Sequence, residues 1–432
     1  MYRAGQFVAT THQHTAALNA DALSIFSPHS SVKPLVHHVA ERLQKRLTLS
    51  YQTSYPISNL EQAVTQRQKL LARSFDVQFE GDEHQTNGPW SVSLAKFPLW
   101  ISPVFSTLSF NFTLNDSAIQ KFFTETPPEE MHPVIVSTLS EVKDEDGVLR
   151  AVTDHVAEHG YLIDPAQAAK ALKAKLSSTG STLTLQTAHS AGIIVNATGK
   201  DYGKLQLLAV GASNFEGSDE GRKSNVRKGF DERLNGVVVA PGEDFSFNSV
   251  LHNMTEANGW REALGIFNGG ELRPVVGAGI CQVATTLYRS LVNAGLPVTD
   301  RINHSLYVHY YEKYGVGIDA TVFPGSQDLV FTNNTPNYIL IQSSYKGYEA
   351  NVSIFGTADG RSVALDGPYF ASNLTDKARS VVGDLRSNEI AWIQTIDHKD
   401  GSEERNIVLS RYKSIPSTVA KQFAKAELLT MN

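Results

Sequence analysis

The strongest apolar periodicity in the chain starts at Ile280. Val283, Ala284, Leu287, Leu291 and Ala294 follow at spacings of three and four, which is one buried face of a helix, and Gly295 supplies its stop. Upstream, Val36, Val39, Leu43 and Leu47 form a second helical stripe, and Ala168, Leu172 and Leu176 form a third. Ser58-Asn59-Leu60-Glu61 opens a further helix in the manner of a capping box, running to about Arg73. Period-two alternation at Phe75-Asp76-Val77-Gln78-Phe79 and Thr182-Leu183-Thr184-Leu185 predicts strands. Ser224 is placed to cap a helix through Leu234, followed by the buried strand Val237-Val238-Val239-Ala240 and the turn Pro241-Gly242. Asp328–Phe331 and Tyr338–Ile341 read as a hairpin, and Asn406–Tyr412 alternates again.

These elements give an α+β fold in about four segments. Residues 1–55 are helical. Residues 56–200 form a separate α+β domain. Residues 203–345 carry an antiparallel sheet with a packed central helix, and 346–432 form a β-rich extension. Asp144-Glu145-Asp146-Gly147 is read as a hairpin turn, because the remaining ligands of a calcium loop are missing.

Composition narrows the function classes. The chain has 432 residues, too many for one core, with 41% hydrophobic and 19% charged residues, as in ordinary globular proteins. A net charge of −6 leaves no electrostatic footprint for nucleic acid. The 14 histidines are scattered, without CxxC or HExxH, so neither a metal nor another cofactor is expected. The start, Met1–Phe7, has no apolar core of signal-peptide length, and no run approaches the roughly 20 apolar residues of a membrane span.

One cysteine changes the picture. Cys281 follows Gly277 and Gly279 and sits in the first turn of the strongest helix, where the positive end of the dipole favours a thiolate. The two glycines, with Gln282, are candidates to bring hydrogen-bond donors close to a substrate oxygen. His304 and Asp319 follow in segments that read as strands. Alternation in His304–Tyr310 puts His304 on the face of Leu306, Val308 and Tyr310, with His309 opposite. A helical Cys, then a strand His, then a strand Asp is the order of a transglutaminase-like site, in which the acid orients the imidazole and the imidazole activates the thiol. The residues leave two readings open, since a lone cysteine is also a common small core residue. His309 rivals His304, and Asp328 rivals Asp319.

Residues from about 215 to 345 resemble the VanW family, named after a gene of vancomycin-resistance clusters. The matching runs are Leu234-Asn235-Gly236 with Pro241–Asn248, then Gly279–Val283 with Thr285–Tyr288, His304-Ser305, Asp319–Val322, Asp328-Leu329 and Asn333-Asn334-Thr335. Ala278 stands where the family usually shows the middle glycine of three. Residues from about 57 to 199 resemble the peptidoglycan-binding domain that commonly precedes this module. The resemblance implies a bacterial cell-envelope protein acting on peptidoglycan or its stem peptides. Members usually carry an N-terminal membrane anchor, which this chain does not show. A trimmed chain, a shortened gene and a cytoplasmic variant are the alternatives.

Overall fold

The computed structural model describes residues 32–415, apart from 53, 82–86, 107–108, 177, 179 and 268–270. The expected helical content of 1–31 and the last part of the C-terminal extension, 416–432, lie outside the described residues. What is described is a mixed α+β architecture in two compact units.

The first unit comprises the described residues up to Val134 together with His159–Ser190. Its core gathers the apolar stripes of the helices Ile57–Leu71 and Pro165–Leu176 against the strand Ser74–Glu80. That strand pairs antiparallel with Asn87–Ser93 and parallel with Thr182–Gln186. The helix Ile57–Leu71 begins after Pro56 with no side-chain cap, so the capping box read at Ser58 is not formed. Asn115 does cap the helix Asp116–Glu125, its Oδ1 accepting from the Ala118 N–H at 3.2 Å.

The second unit, Ile135–Glu158 with Ala191 onward, holds the candidate site. Seven strands close into a barrel: β1 (Val136–Glu145), β2 (Val148–Thr153), β3 (Ile193–Asn196), β4 (Gln206–Asn214), β5 (Val237–Val239), β6 (Ile339–Lys346) and β7 (Glu349–Gly356). Around the barrel their order is β3-β4-β7-β6-β5-β2-β1, closed by the parallel pairing of β3 with β1, Ile193 opposite Val136. The β1–β2 hairpin, turned at Asp144 and Gly147 as read from sequence, supplies two of these strands. It and β3 therefore belong with the second unit, whereas the segment reading put them in a continuous 56–200 domain. The reason is non-local pairing, Leu149 with Val238 and Arg150 with Val237, which no local pattern announces.

Two helices matter for the site. Helix α1 (Glu220–Lys228) is capped by Asp219, not Ser224, and runs on into a π-helical stretch, Gly229–Leu234. Helix α2 (Ile280–Ala294) is buried on nearly every side and ends at Gly295 in the left-handed conformation. It packs on β4 at a separation only glycine permits, since a Cβ on Gly211 would lie 2.2 Å from the Thr286 carbonyl oxygen. Ser213 Oγ and Thr286 Oγ1, 2.7 Å apart, complete this contact.

The expected hairpin between Asp328–Phe331 and Tyr338–Ile341 does not form. Leu329–Thr332 pairs instead with Asp244–Ser246 and Val298–Arg301, while Ile339–Lys346 enters the barrel as β6. The connecting Asn333 explains the divergence. Its Nδ2 donates to the carbonyls of Val239 and Asn337, both at 2.9 Å, and its Oδ1 accepts from the Thr335 N–H, so the chain is redirected between sheets. The C-terminal strands Ser362–Tyr369, Glu389–Asp397 and Glu403–Arg411 form an antiparallel sheet that packs into the core around α2. Trp392 Nε1 donates to the Val316 carbonyl at 2.8 Å within it.

Candidate functional site

The turn before α2 is built from glycine because its backbone requires it. Gly277 (φ +82°) and Gly279 (φ +110°) occupy conformations that a side chain disfavours. A Cβ on Gly279 would also come within 3.0 Å of Arg222 Cγ and Val226 Cγ2 on α1. The buried amide of Asn225 fixes the same turn, donating to the carbonyls of Ala278 (2.9 Å) and Arg261 (2.8 Å) and accepting from the Arg261 N–H. Cys281 is thereby held as the second residue of α2, partly exposed, where the unsatisfied amides of the helix start favour negative charge.

A register between helix and extended chain then fixes the segment that carries the acid against the helix that carries the thiol. Cys281, Thr285 and Arg289 lie four residues apart on one face of α2, and they bond the alternate carbonyls of Val322, Ala320 and Ile318. Sγ donates to Val322 O at 3.4 Å, Thr285 Oγ1 to Ala320 O at 3.1 Å and Arg289 Nε to Ile318 O at 2.9 Å. Four helical residues advance about 6 Å and two extended residues about 6.6 Å, so the two periods match closely over three contacts. Asp319 sits inside this ladder, 1% exposed.

Asp319 and His304 meet directly. The carboxylate Oδ2 accepts from the His304 backbone N–H at 2.8 Å and pairs with the ring Nδ1 at 2.5 Å. With Nδ1 committed to Asp319, Nε2 is the ring nitrogen available to another partner. Neither residue is in a strand, contrary to the alternation read at His304–Tyr310. His304 follows an isolated bridge between Ile302 and Thr321, and both segments are irregular because side-chain bonds replace a ladder. Burial works against the Asp319 carboxylate, but the hydrogen bond and charge of His304, then Arg301 and the Tyr412 hydroxyl, outweigh it and hold its pKa at about 2. Burial also opposes the imidazolium. Tyr311, Asp319 and Cys281 overcome that, and the His304 pKa stands well above its ordinary value. For Cys281, burial favours the thiol, yet His304, the Val322 contact and the charge of Arg222 bring its pKa below the ordinary value.

The rival residues lie elsewhere. His309 is exposed and pairs with Glu312 at 2.6 Å. Asp328 accepts from Ser246 Oγ, the Asn248 N–H and the Leu329 N–H and so builds a turn. Gln282 is fully buried, with Nε2 donating to Ser213 Oγ at 3.1 Å on the β4 side of the helix. Its amide is thereby committed to the core. Gly277 and Gly279 shape the turn. The Cys281 N–H itself has no acceptor among the described residues, which makes it the free donor beside the sulfur.

Sequence reasoning missed the residues that support this group. Tyr412 donates its hydroxyl to Asp319 Oδ1. Arg301 lies 3.8 Å from the same oxygen, donates to the Asp319 carbonyl at 2.7 Å and stacks over the Tyr288 ring. Arg289, 2% exposed, reaches the carbonyls of Ala212, Ile318, Tyr311 and Gly315, and burial lowers its pKa to about 10. Tyr311 packs its ring 5.5 Å from the imidazole. A signal for Arg289 did exist: the one charged residue of the helix Ile280–Ala294, eight residues after Cys281. Tyr412 had none, being 93 residues from its partner.

With this geometry in place, comparison with known proteins adds a family. The family model for VanW-like proteins matches residues 221–355. Residues 221–355 are a VanW-like domain. Two relatives agree. The uncharacterised protein YoaR of Bacillus subtilis is 34% identical over 152 residues, which is 35% of this chain and 48% of that protein. The vancomycin B-type resistance protein VanW of Enterococcus faecalis is 29% identical over 104 residues, 24% of this chain and 38% of that protein. The chain thus spans less than half the length of either relative. No solved structure matches it. The VanW-like match covers Cys281, His304 and Asp319 but ends before the C-terminal sheet and Tyr412, which directly follows its last strand. Among the described residues, no helix is long and apolar enough to cross a membrane, and no three His, Cys, Asp or Glu side chains are grouped to hold a metal.

Proposed function

We propose that the VanW-like domain is a cysteine-dependent acyl-transfer site, with Cys281 as nucleophile, His304 as general base and then acid, and Asp319 as the orienting carboxylate. The observation that carries this reading is the buried Asp319–His304 pair, which fixes the ring through Nδ1 beside a cysteine whose pKa is lowered. The thiolate adds to an amide carbonyl, the carbonyl oxygen takes the negative charge and the Cys281 N–H receives it. Collapse of this intermediate expels the amine, which takes the proton from His304, and leaves a thioester on Cys281. Water or a second amine then releases the acyl group, giving an amidase or peptidase in the first case and an acyltransferase in the second. The order Cys, His, Asp is transglutaminase-like.

The names of the relatives support a substrate class without fixing it. One is named for vancomycin resistance, and the segment 57–199 resembles a peptidoglycan-binding domain, so the reading places the protein in the bacterial cell envelope, acting on an amide bond of a peptidoglycan stem peptide. A second reading is favoured by the Sγ contact with Val322 O and by the packing of Cys281 against the core. In that case the domain is a non-enzymatic wall-binding scaffold. The pH dependence of Cys281 alkylation by iodoacetamide separates the two. The enzyme reading predicts reaction of the folded protein with an apparent pKa below the ordinary thiol value, and a rise towards that value in His304→Ala. A thiol that reacts only after denaturation selects the scaffold.

A further inference from the structure

Among the described residues, Arg222 is a cation without an anionic partner beside the Gly279 turn of this site. Its stem lies along the Gly279 turn, with Cγ at 3.0 Å from where a Gly279 side chain would begin, directly before Cys281. Its guanidinium is held in one orientation from two sides: Nη1 donates to Ser218 Oγ at 2.6 Å, and the group stacks 5.1 Å from the ring centre of Tyr310. The acidic side chains next to it in sequence are otherwise engaged. Asp219 caps α1 by accepting the Arg222 backbone N–H at 2.7 Å, and Glu220 pairs with Lys223 at 2.8 Å. No carboxylate pairs with the Arg222 guanidinium among the described residues. Arg222 is only partly exposed, and its charge acts on both Cys281 and Tyr311, which places it on the thiol side of the site. An oriented guanidinium with free donors matches a carboxylate in geometry and charge.

We infer that Arg222 is a specificity-determining residue that binds a carboxylate of the substrate, so that the acyl donor is an anionic peptide with a free carboxylate close to the bond attacked by Cys281. The inference rests on the nucleophile reading above, and Tyr310 serves as the exposed platform that keeps the guanidinium turned towards the ligand.

The test uses the full chain and compares initial rates of Cys281 alkylation by iodoacetate and by iodoacetamide. Both reagents attack the same thiolate, so changes in thiol pKa or exposure cancel in the ratio of rates, and what remains is the attraction for a carboxylate. The iodoacetate-to-iodoacetamide ratio should fall about fivefold in Arg222→Gln at low salt and recover in Arg222→Lys, and the ratio of the unsubstituted protein should fall as salt is added. An unchanged ratio in Arg222→Gln, with normal iodoacetamide reactivity, overturns the role of Arg222 and leaves the nucleophile standing. Failure of iodoacetamide to react with the folded unsubstituted protein overturns the nucleophile itself and this inference with it. Protection gives the same comparison without a substitution: N-acetylglycine should slow iodoacetamide more than N-acetylglycinamide does, and equal protection by the two overturns the proposal.

Discussion

Asp319→Asn keeps the shape of the buried side chain and removes its charge, so it isolates what the carboxylate does. A carboxyl held at about 2 against its ordinary 3.8 contributes about 2 kcal/mol to folding at neutral pH. The raised His304 pKa reports the same contact from the other partner and is not added to it. Because the Asp319 pKa is depressed in the folded state, its contribution is complete above about pH 4 and is lost as pH falls towards 2. Because the His304 pKa is raised, its contribution is complete below about 6.5 and is lost as pH rises through the folded value. Stability of the second unit should therefore be greatest between about pH 4 and 6.5 and decline on both sides. In Asp319→Asn both flanks should flatten. Near pH 5.5 the calorimetric transition of that unit should fall by about 4–8 °C, as about 2 kcal/mol implies for a unit of this size. The two units can melt separately, so calorimetry is preferred to a single optical probe. An unchanged melting temperature, or acid and alkaline flanks as steep as in the unsubstituted protein, would refute the buried ion pair as the organising feature of the site.

Other substitutions probe its supports. Thr285→Val removes both bonds to Ala320 at nearly constant volume and should cost about 1–2 kcal/mol; if the helix-to-chain register sets the site, Cys281 alkylation slows as well. Arg289→Met removes the side-chain donor of four carbonyls, of which Gly315 still accepts from the Ile318 N–H at 3.0 Å, and should cost about 3 kcal/mol or more, read as loss of the second unit's transition at 37 °C. Tyr412→Phe withdraws one donor from Asp319, so the acid flank of the stability profile should move upward in pH with little change on the alkaline side. Gly279→Ala combines a strained φ with contacts at 3.0 Å to Arg222 and Val226, and should cost about 2–3 kcal/mol in chemical denaturation.

The helices were legible from sequence because their signal is local. Ile280–Ala294 and Pro165–Leu176 carry their own apolar stripes, and Gly295 ends the first by a conformation few other residues adopt. The barrel was not legible, because its closure pairs β1 with β3 and β2 with β5 across long stretches of chain. The same division runs through the site. Cys281 was visible as a lone cysteine in a first helical turn. His304 and Asp319 were found by order, but the strands assigned to them were wrong, since Leu306 and Val308 lie in irregular chain and Tyr310 is an exposed residue of the 3-10 turn His309–Tyr314.

That misassignment matters for how the site works. Two strands would have fixed His304 and Asp319 by backbone ladders of their own, independent of the cysteine. In the fold as described, Asp319 is placed by the side chains of α2 itself, through Thr285 and Arg289, and His304 is placed by Asp319 through both its backbone N–H and its ring. The helix that carries the thiol therefore also sets the position of the Asp319 carboxylate, and the carboxylate sets the position of the His304 ring. A loss of packing along α2 should remove stability and thiol activation together.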